Sequence, residues 1–260
     1  MRMADEQLEL ESLKRYEEGK PKISVIVPCY NREAFIQECV VSIMSNDYMR
    51  RGELIIVDDG STDSSAQKIS SLVDMYTADG YTIRSIKHDT NRGVSAARNT
   101  GISDSLADIV VCIDADDIVP PNFLRKNYQN MYSNKVDVSY TEVQCFGSEI
   151  TKHAWPEFSL DHLRRENYIP CSAMMRKDVW VKAAGFDETM KSGLEDYDFW
   201  LNAAHFATTK FKKCNETILL WRKHDGNTTA AADQETTRKE ILKYLKDKHK
   251  GWYLGNGELS

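Results

Sequence analysis

Three carboxylates close an apolar run at Ile109-Val110-Val111-Cys112-Ile113-Asp114-Ala115-Asp116-Asp117. Like charges this close repel unless a cation sits among them. Mg²⁺ and Mn²⁺ are hard, oxygen-seeking ions that in such sites usually hold substrate phosphates too. The competing reading is an Asp-rich turn bonded to its own backbone. The apolar run itself reads as a strand buried on both faces. In open α/β sheets ligands bind beyond the carboxyl ends of such strands.

Five other groups have chemistry-bearing spacing. Pro28-Cys29-Tyr30-Asn31 ends an apolar run, and Tyr30 offers a face on which a base can stack. In Asp58-Asp59-Gly60-Ser61-Thr62-Asp63, Asp58 or Asp59 could accept from a uracil N–H or a ribose hydroxyl, while Asp63 could cap the following helix. Asn91 to Asn99 sets a glycine and small residues at a helix start, with Arg98 one turn in, within reach of a nucleotide or phosphate. Glu195 and Asp196 precede an apolar stripe, where a rigid carboxylate suits general-base chemistry and an acid also favours the helix dipole. His224 leaves a strand into a Gly/Asn turn, from which it could reach a metal or simply fill the turn.

Alternating elements must position these groups. Strands are predicted at 22–28, 53–57, 81–87 and 109–113. Helices are predicted at 33–45, 64–76 and 94–103. This order implies βαβ units and a mainly parallel sheet. Beyond residue 120 the alternation weakens. Helices are predicted at 123–132, 160–168, 177–184 and 196–207, strands at 136–146 and 217–222, and a polar tail helix at 233–249. The predicted domains are an N-terminal helical extension (1–20, with Leu8, Leu10 and Leu13 as docking residues), one α/β domain (21–229) and a C-terminal helical tail (230–260). The α/β domain divides into a nucleotide-binding half (21–120) and an acceptor-side half (121–229).

The 260 residues are 41% apolar with a formal charge of −6, which supports a real core and argues against nucleic acid as a partner. No segment has the roughly 18 consecutive apolar residues of a membrane helix. Six scattered cysteines without a CxxC motif point to reduced thiols and a cytoplasmic setting. The lysines at 239, 243, 246, 248 and 250 form a solvated face or a peripheral contact with an anionic membrane.

The ordered strings SVIVPCYNREAFIQECVVSI, ELIIVDDGSTDSS, NRGVSAARNTGI, VVCIDADD, AAGFDE with LEDYDFWLNAA, and WRKHDGNTT resemble the family 2 glycosyltransferases of GT-A fold over residues 22–229. The resemblance implies a nucleotide-sugar donor, usually a UDP-sugar, a divalent Mn²⁺ or Mg²⁺, and inverting transfer to a hydroxyl of a glycan, lipid-linked or other acceptor, in cell-surface polysaccharide or glycoconjugate synthesis. Carried over, Pro28, Tyr30, Asn31 and one of Asp58 and Asp59 line the uridine site, Asp59 foremost, with Arg98 near the base. Asp114-Ala115-Asp116 is the DxD motif for metal and ribose, with Asp117 a possible substitute. Asp196 matches the usual catalytic base, Glu195 its companion, and His224 a histidine that completes the metal site in some members. The QxxRW signature of processive synthases is absent. Two other classes compete: a sugar nucleotidyltransferase, and a non-catalytic sugar-nucleotide-binding module.

Overall fold

The computed structural model describes residues 21–205, 209–224, 235–250 and 252. The predicted N-terminal helix and the turn at residues 225–229 lie outside them.

Strands and helices alternate as β1 (Ser24–Cys29), α1 (Ile36–Met44), β2 (Glu53–Asp58), α2 (Ser65–Ala78), β3 (Thr82–Lys87), α3 (Val94–Asp104) and β4 (Ile109–Cys112). Then follow α4 (Phe123–Asn134), β5 (Val138–Gly147), β6 (Lys152–His153), α5 (Leu160–Leu163), β7 (Met174–Arg176), α6 (Lys177–Lys182), α7 (Glu195–His205), β8 (Phe211–Lys223) and α8 (Glu235–Lys248). One open eight-stranded sheet has the order β3-β2-β1-β4-β7-β5-β6, with β8 paired to β5. The first four strands are parallel. β7 runs against both β4 and β5, β6 runs against β5, and β8 is parallel to β5. The sheet is therefore mixed and mainly parallel.

The strand order reverses at β1, with β2 on one side and β4 on the other. A crevice opens at such a point beyond the strand ends. β1, β2 and β4 are buried along their whole lengths, which their unbroken apolar runs require. The edge strand β3 alternates instead and carries Arg84 and Lys87, charges that discourage edge pairing. Apolar cores fill both faces. One is built on Val25, Val27, Ile43 and Phe123, the other on Ile26, Val110, Phe199 and Trp200.

Three departures from the sequence expectation have physical causes. The helix expected over 160–168 is a single turn, because the chain folds back to bury the Tyr168 ring. Its hydroxyl donates to the Ser159 carbonyl and accepts from the Ser159 N–H. β7 joins the two halves of the sheet, but three residues are too short to show a period. The polar tail helix is present as α8, and it is docked: Ile241 and Leu245 are buried, and Lys248 turns inward to Asp187 and Asp198.

Small residues let α3 press against the sheet, and Gly101 is the tightest point. A Cβ there would stand 2.5 Å from Ile26 Cγ2. Gly101→Ala should therefore lower stability by about 1–3 kcal/mol, the usual scale of overpacking. Urea denaturation measures this, and an unchanged midpoint would show that α3 has slack against β1.

Candidate active site

A cleft of about 480 Å³ lies beyond the ends of β1 and β4. Pro28, Tyr30, Asp59, Arg98, Asp114, Ala115, Asp116, Asp117, Glu195 and Asp196 all line it. Five separate stretches of sequence thus meet in one place. Asn31, Asp58 and His224 stand outside that lining.

On the β1–β2 side, Tyr30 is half-exposed at the rim. Asn31 has a left-handed backbone (φ 49°). Its side-chain oxygen accepts from the Thr62 N–H at 2.8 Å, and its own N–H donates to Ser61. These bonds fasten the turn after β1 to the loop after β2. Asp58 Oδ1 accepts from the Ser61 N–H at 3.0 Å. Asp63 holds the Ser65 N–H at 2.9 Å, the capping role expected of it. Asp59 is a hub. Its Oδ1 contacts His88 Nδ1 at 2.6 Å and accepts from the Arg92 N–H at 2.9 Å, and its Oδ2 accepts from the Gly93 N–H at 2.8 Å. It therefore moors the loop leading into α3. Gly60 is obligatory beside it, with φ +73° and no room for a Cβ against the backbone of residues 90–91.

Arg98 is buried and forked. Nη1 donates to Glu195 Oε1 at 2.6 Å and Nη2 to Asp114 Oδ1 at 2.8 Å. Both Nη groups are thus committed to carboxylates that line the cleft. Asp116 Oδ2 accepts from Arg32 Nε and lies 3.0 Å from His224 Nε2. His224 is backed by the Phe35 ring at 4.5 Å. Asp117 is buried, and its Oδ1 accepts from the Arg222 N–H at 3.0 Å. Burial first, then the charges of Asp116 and Asp114, push its pKa well above the carboxylate range. Its bond to the Arg222 N–H makes Asp117 a brace for β8.

Among the described residues no three of His, Cys, Asp and Glu converge closely enough to hold a metal by protein ligands alone. Asp116 and His224 nevertheless fit a divalent ion. Their ligating atoms are 3.0 Å apart, a spacing that suits adjacent ligands on an ion about 2.1 Å from each. Mg²⁺-type ions keep their other positions for water and phosphate oxygens.

The third carboxylate group enters on a strained turn. Gly193 and Leu194 both have positive φ, +105° and +59°. The next two residues open α7 with Glu195 toward Arg98 and Asp196 toward the cleft. Asp196 Oδ1 accepts from the Asn167 side chain at 3.2 Å and from the Tyr197 N–H at 2.8 Å. Among the described residues no hydrogen bond reaches its Oδ2. Burial, and next the charge of Glu195, raise the Asp196 pKa to about 7. The low-dielectric setting makes it a stronger base than an aspartate in water.

Several neighbours were not anticipated. Arg32, His88, Asn167 and Arg222 each hold a carboxylate of the site. Arg32 and Arg222 sit inside the motif strings already quoted, and that was their only sequence signal. His88 and Asn167 lie in stretches with no motif.

Comparison with known proteins gives the class to which this arrangement of strand ends and acids belongs. The family model Glycosyl transferase family 2 matches residues 24–196. The chain belongs to glycosyl transferase family 2. Glycosyltransferase GlyG of Streptococcus pneumoniae serotype 4 is 34% identical over 116 residues, 45% of this chain and 37% of GlyG. The chain spans less than half the length of several curated relatives it matches. Among solved structures, TarS 1–349 of S. aureus in complex with UDP-GlcNAc superimposes with a TM-score of 0.74 at 20% identity, covering 90% of this chain and 68% of that one. The mannosyltransferase PcManGT of Pyrobaculum calidifontis, in complex with GDP-Man and Mn²⁺, gives 0.65 at 19% identity, covering 88% and 64%. These likenesses establish the GT-A fold.

The raised Asp196 pKa has a consequence for stability. An unfolded aspartate titrates near 3.9, so this group favours the fold below about pH 4 and loses that contribution as pH rises through 7. Asp196→Asn should therefore melt at a higher temperature than wild type at pH 8, with the gap closing toward pH 4. Thermal unfolding at the two pH values measures this. An equal difference at both would mean that Asp196 is not held as a disfavoured anion.

Proposed function

We propose that the enzyme moves a sugar from a nucleotide donor, most simply a UDP-sugar, to an acceptor hydroxyl by a single inverting displacement that requires a divalent metal. The observation that carries this reading is Asp196: a fixed carboxylate with a pKa near 7, facing the same cleft as Asp114 and Asp116.

In the displacement, Asp196 Oδ2 takes the proton of the acceptor hydroxyl as its oxygen attacks the anomeric carbon. The new C–O bond forms on one face. The bond to the β-phosphate oxygen breaks on the opposite face, and its electron pair leaves with UDP. Asp116 and His224 would hold the metal, with Asp114 turned toward the ribose. When bound, such an ion neutralises charge on the departing diphosphate. Tyr30 offers a stacking face for the base at the rim. Arg98 keeps Glu195 from swinging toward the donor and so fixes the start of the helix that carries Asp196. The loop after β1 has no glycine with which to cradle a triphosphate, which disfavours nucleotidyl transfer.

A panel of UDP-, GDP- and dTDP-sugars with and without Mn²⁺ tests the reading by nucleoside diphosphate release and thermal shift. Asp196→Asn should keep the donor-induced shift, yet transfer should fall by roughly 10²-fold or more, the scale of a lost general base. The wild-type rate should rise with pH through about 7, as Asp196 loses its proton. Asp116→Ala should lose the Mn²⁺-dependent part of the shift. Pyrophosphate as product, or a near wild-type rate in Asp196→Asn, would contradict the proposal.

A further inference from the structure

The site described so far does not use the C-terminal helix. Yet the end of α8 and the residue after it bring Lys248 and His249 to the first turn of α7. Asp198 is fully buried. Its Oδ1 lies 2.8 Å from His249 Nε2, and its Oδ2 accepts from Lys248 Nζ at 2.8 Å. Lys248 Nζ also reaches Asp187 Oδ2 at 2.6 Å, where the Tyr244 hydroxyl donates at 2.7 Å. Asp198 is two residues from Asp196 and faces away from the cleft.

A second observation bears on the same turn. Leu194, at φ +59°, holds a backbone conformation that a residue with a Cβ adopts at a cost. Strain of this kind persists only where the surroundings over-determine it. The helix that follows is held from both sides. Arg98 grips Glu195 on the cleft side, and Lys248 with His249 grips Asp198 on the far side. The Asp198 N–H also bonds back to the Leu194 carbonyl at 3.1 Å. Release of the rear grip would leave a buried carboxylate short of partners, and the first turn of α7 could relax by unwinding through Leu194. Asp196 would then move with it.

We infer that Lys248 and His249 are positioning residues: through buried Asp198 they fix the strained turn that aims the Glu195–Asp196 pair into the cleft. This rests on Asp196 being the base. The C-terminal helix is in this sense part of the catalytic apparatus without touching substrate.

The test uses steady-state transfer and donor-induced thermal shift with Mn²⁺ on the full chain. The donor is whichever member of the UDP-, GDP- and dTDP-sugar panel supports diphosphate release. Lys248→Met should lower kcat at least tenfold while the donor-induced shift stays as in wild type, and Lys248→Arg should restore most of kcat. Because Lys248→Met strands a buried anion and could fail to fold, the double variant Asp198→Asn/Lys248→Met is made alongside. It removes both charges together, so folding is preserved while the grip is lost, and its kcat should fall similarly. Leu245→Ala, which loosens α8 without touching Asp198, is the control for mere destabilisation. Assayed well below its melting temperature, it should keep kcat. If the double variant folds and turns over as wild type, or if Leu245→Ala loses kcat equally, the inference is overturned. If Asp196→Asn itself retains activity, the fault lies in the choice of base instead.

Discussion

Among the described residues, Arg98 is the one cation in contact with both acidic arms of the site. Asp114 comes from the end of β4 and Glu195 from the start of α7, 81 positions later in the chain. Without a buried positive charge between them, two carboxylates could not share this low-dielectric space. The forked guanidinium suits the task because it can donate to two acceptors from one rigid plane. Its placement depends in turn on α3 lying close against β1, which the missing side chain at Gly101 permits. Sheet packing, helix approach and site electrostatics are therefore one problem here, solved at one residue.

The other acids follow the same rule by different means. Asp59 is satisfied by two backbone N–H groups and His88, and organises a loop. Asp116 meets Arg32 and His224. Asp117 sits where ionisation is disfavoured. Asp196 combines an oxygen that no hydrogen bond reaches within the described residues with a pKa raised to about 7. A donor diphosphate would bring more negative charge into this setting. The cations already present, Arg32 and Arg98, would offset part of it. The divergence between Asp196 and the carboxylates around it is how one cleft could hold a metal-binding acid and a proton-accepting one.

Much of this was legible in the chain. The βαβ alternation, the acids at strand ends and the small residues of α3 follow from local pattern, because each requirement falls on neighbouring positions. Asp63 as a cap and His224 beside Asp116 were also within reach. What could not be read is long-range pairing. The pairing of Arg98 with Glu195 is one such case, since nothing local shows that Glu195 faces it. Lys248 looked like one of a row of solvated lysines, and its burial against Asp198 depends on how α8 docks. β7 was missed because its strand character comes from the partners on either side, β4 and β5. The raised pKa of Asp196 is likewise a property of packing and not of its own sequence neighbourhood.

If the Arg98 fork holds the site together, a substitution that keeps its charge and loses its shape should be enough to disable it. Arg98→Lys can pair with Glu195 or with Asp114 but cannot hold both in the same geometry. Circular dichroism and cooperative unfolding would first confirm that the variant folds. The account then predicts that the donor-induced thermal shift with Mn²⁺ weakens and that transfer falls at least ~10-fold, because both arms of the site lose their common anchor. A folded Arg98→Lys enzyme that binds donor and transfers sugar within about twofold of wild type would contradict it.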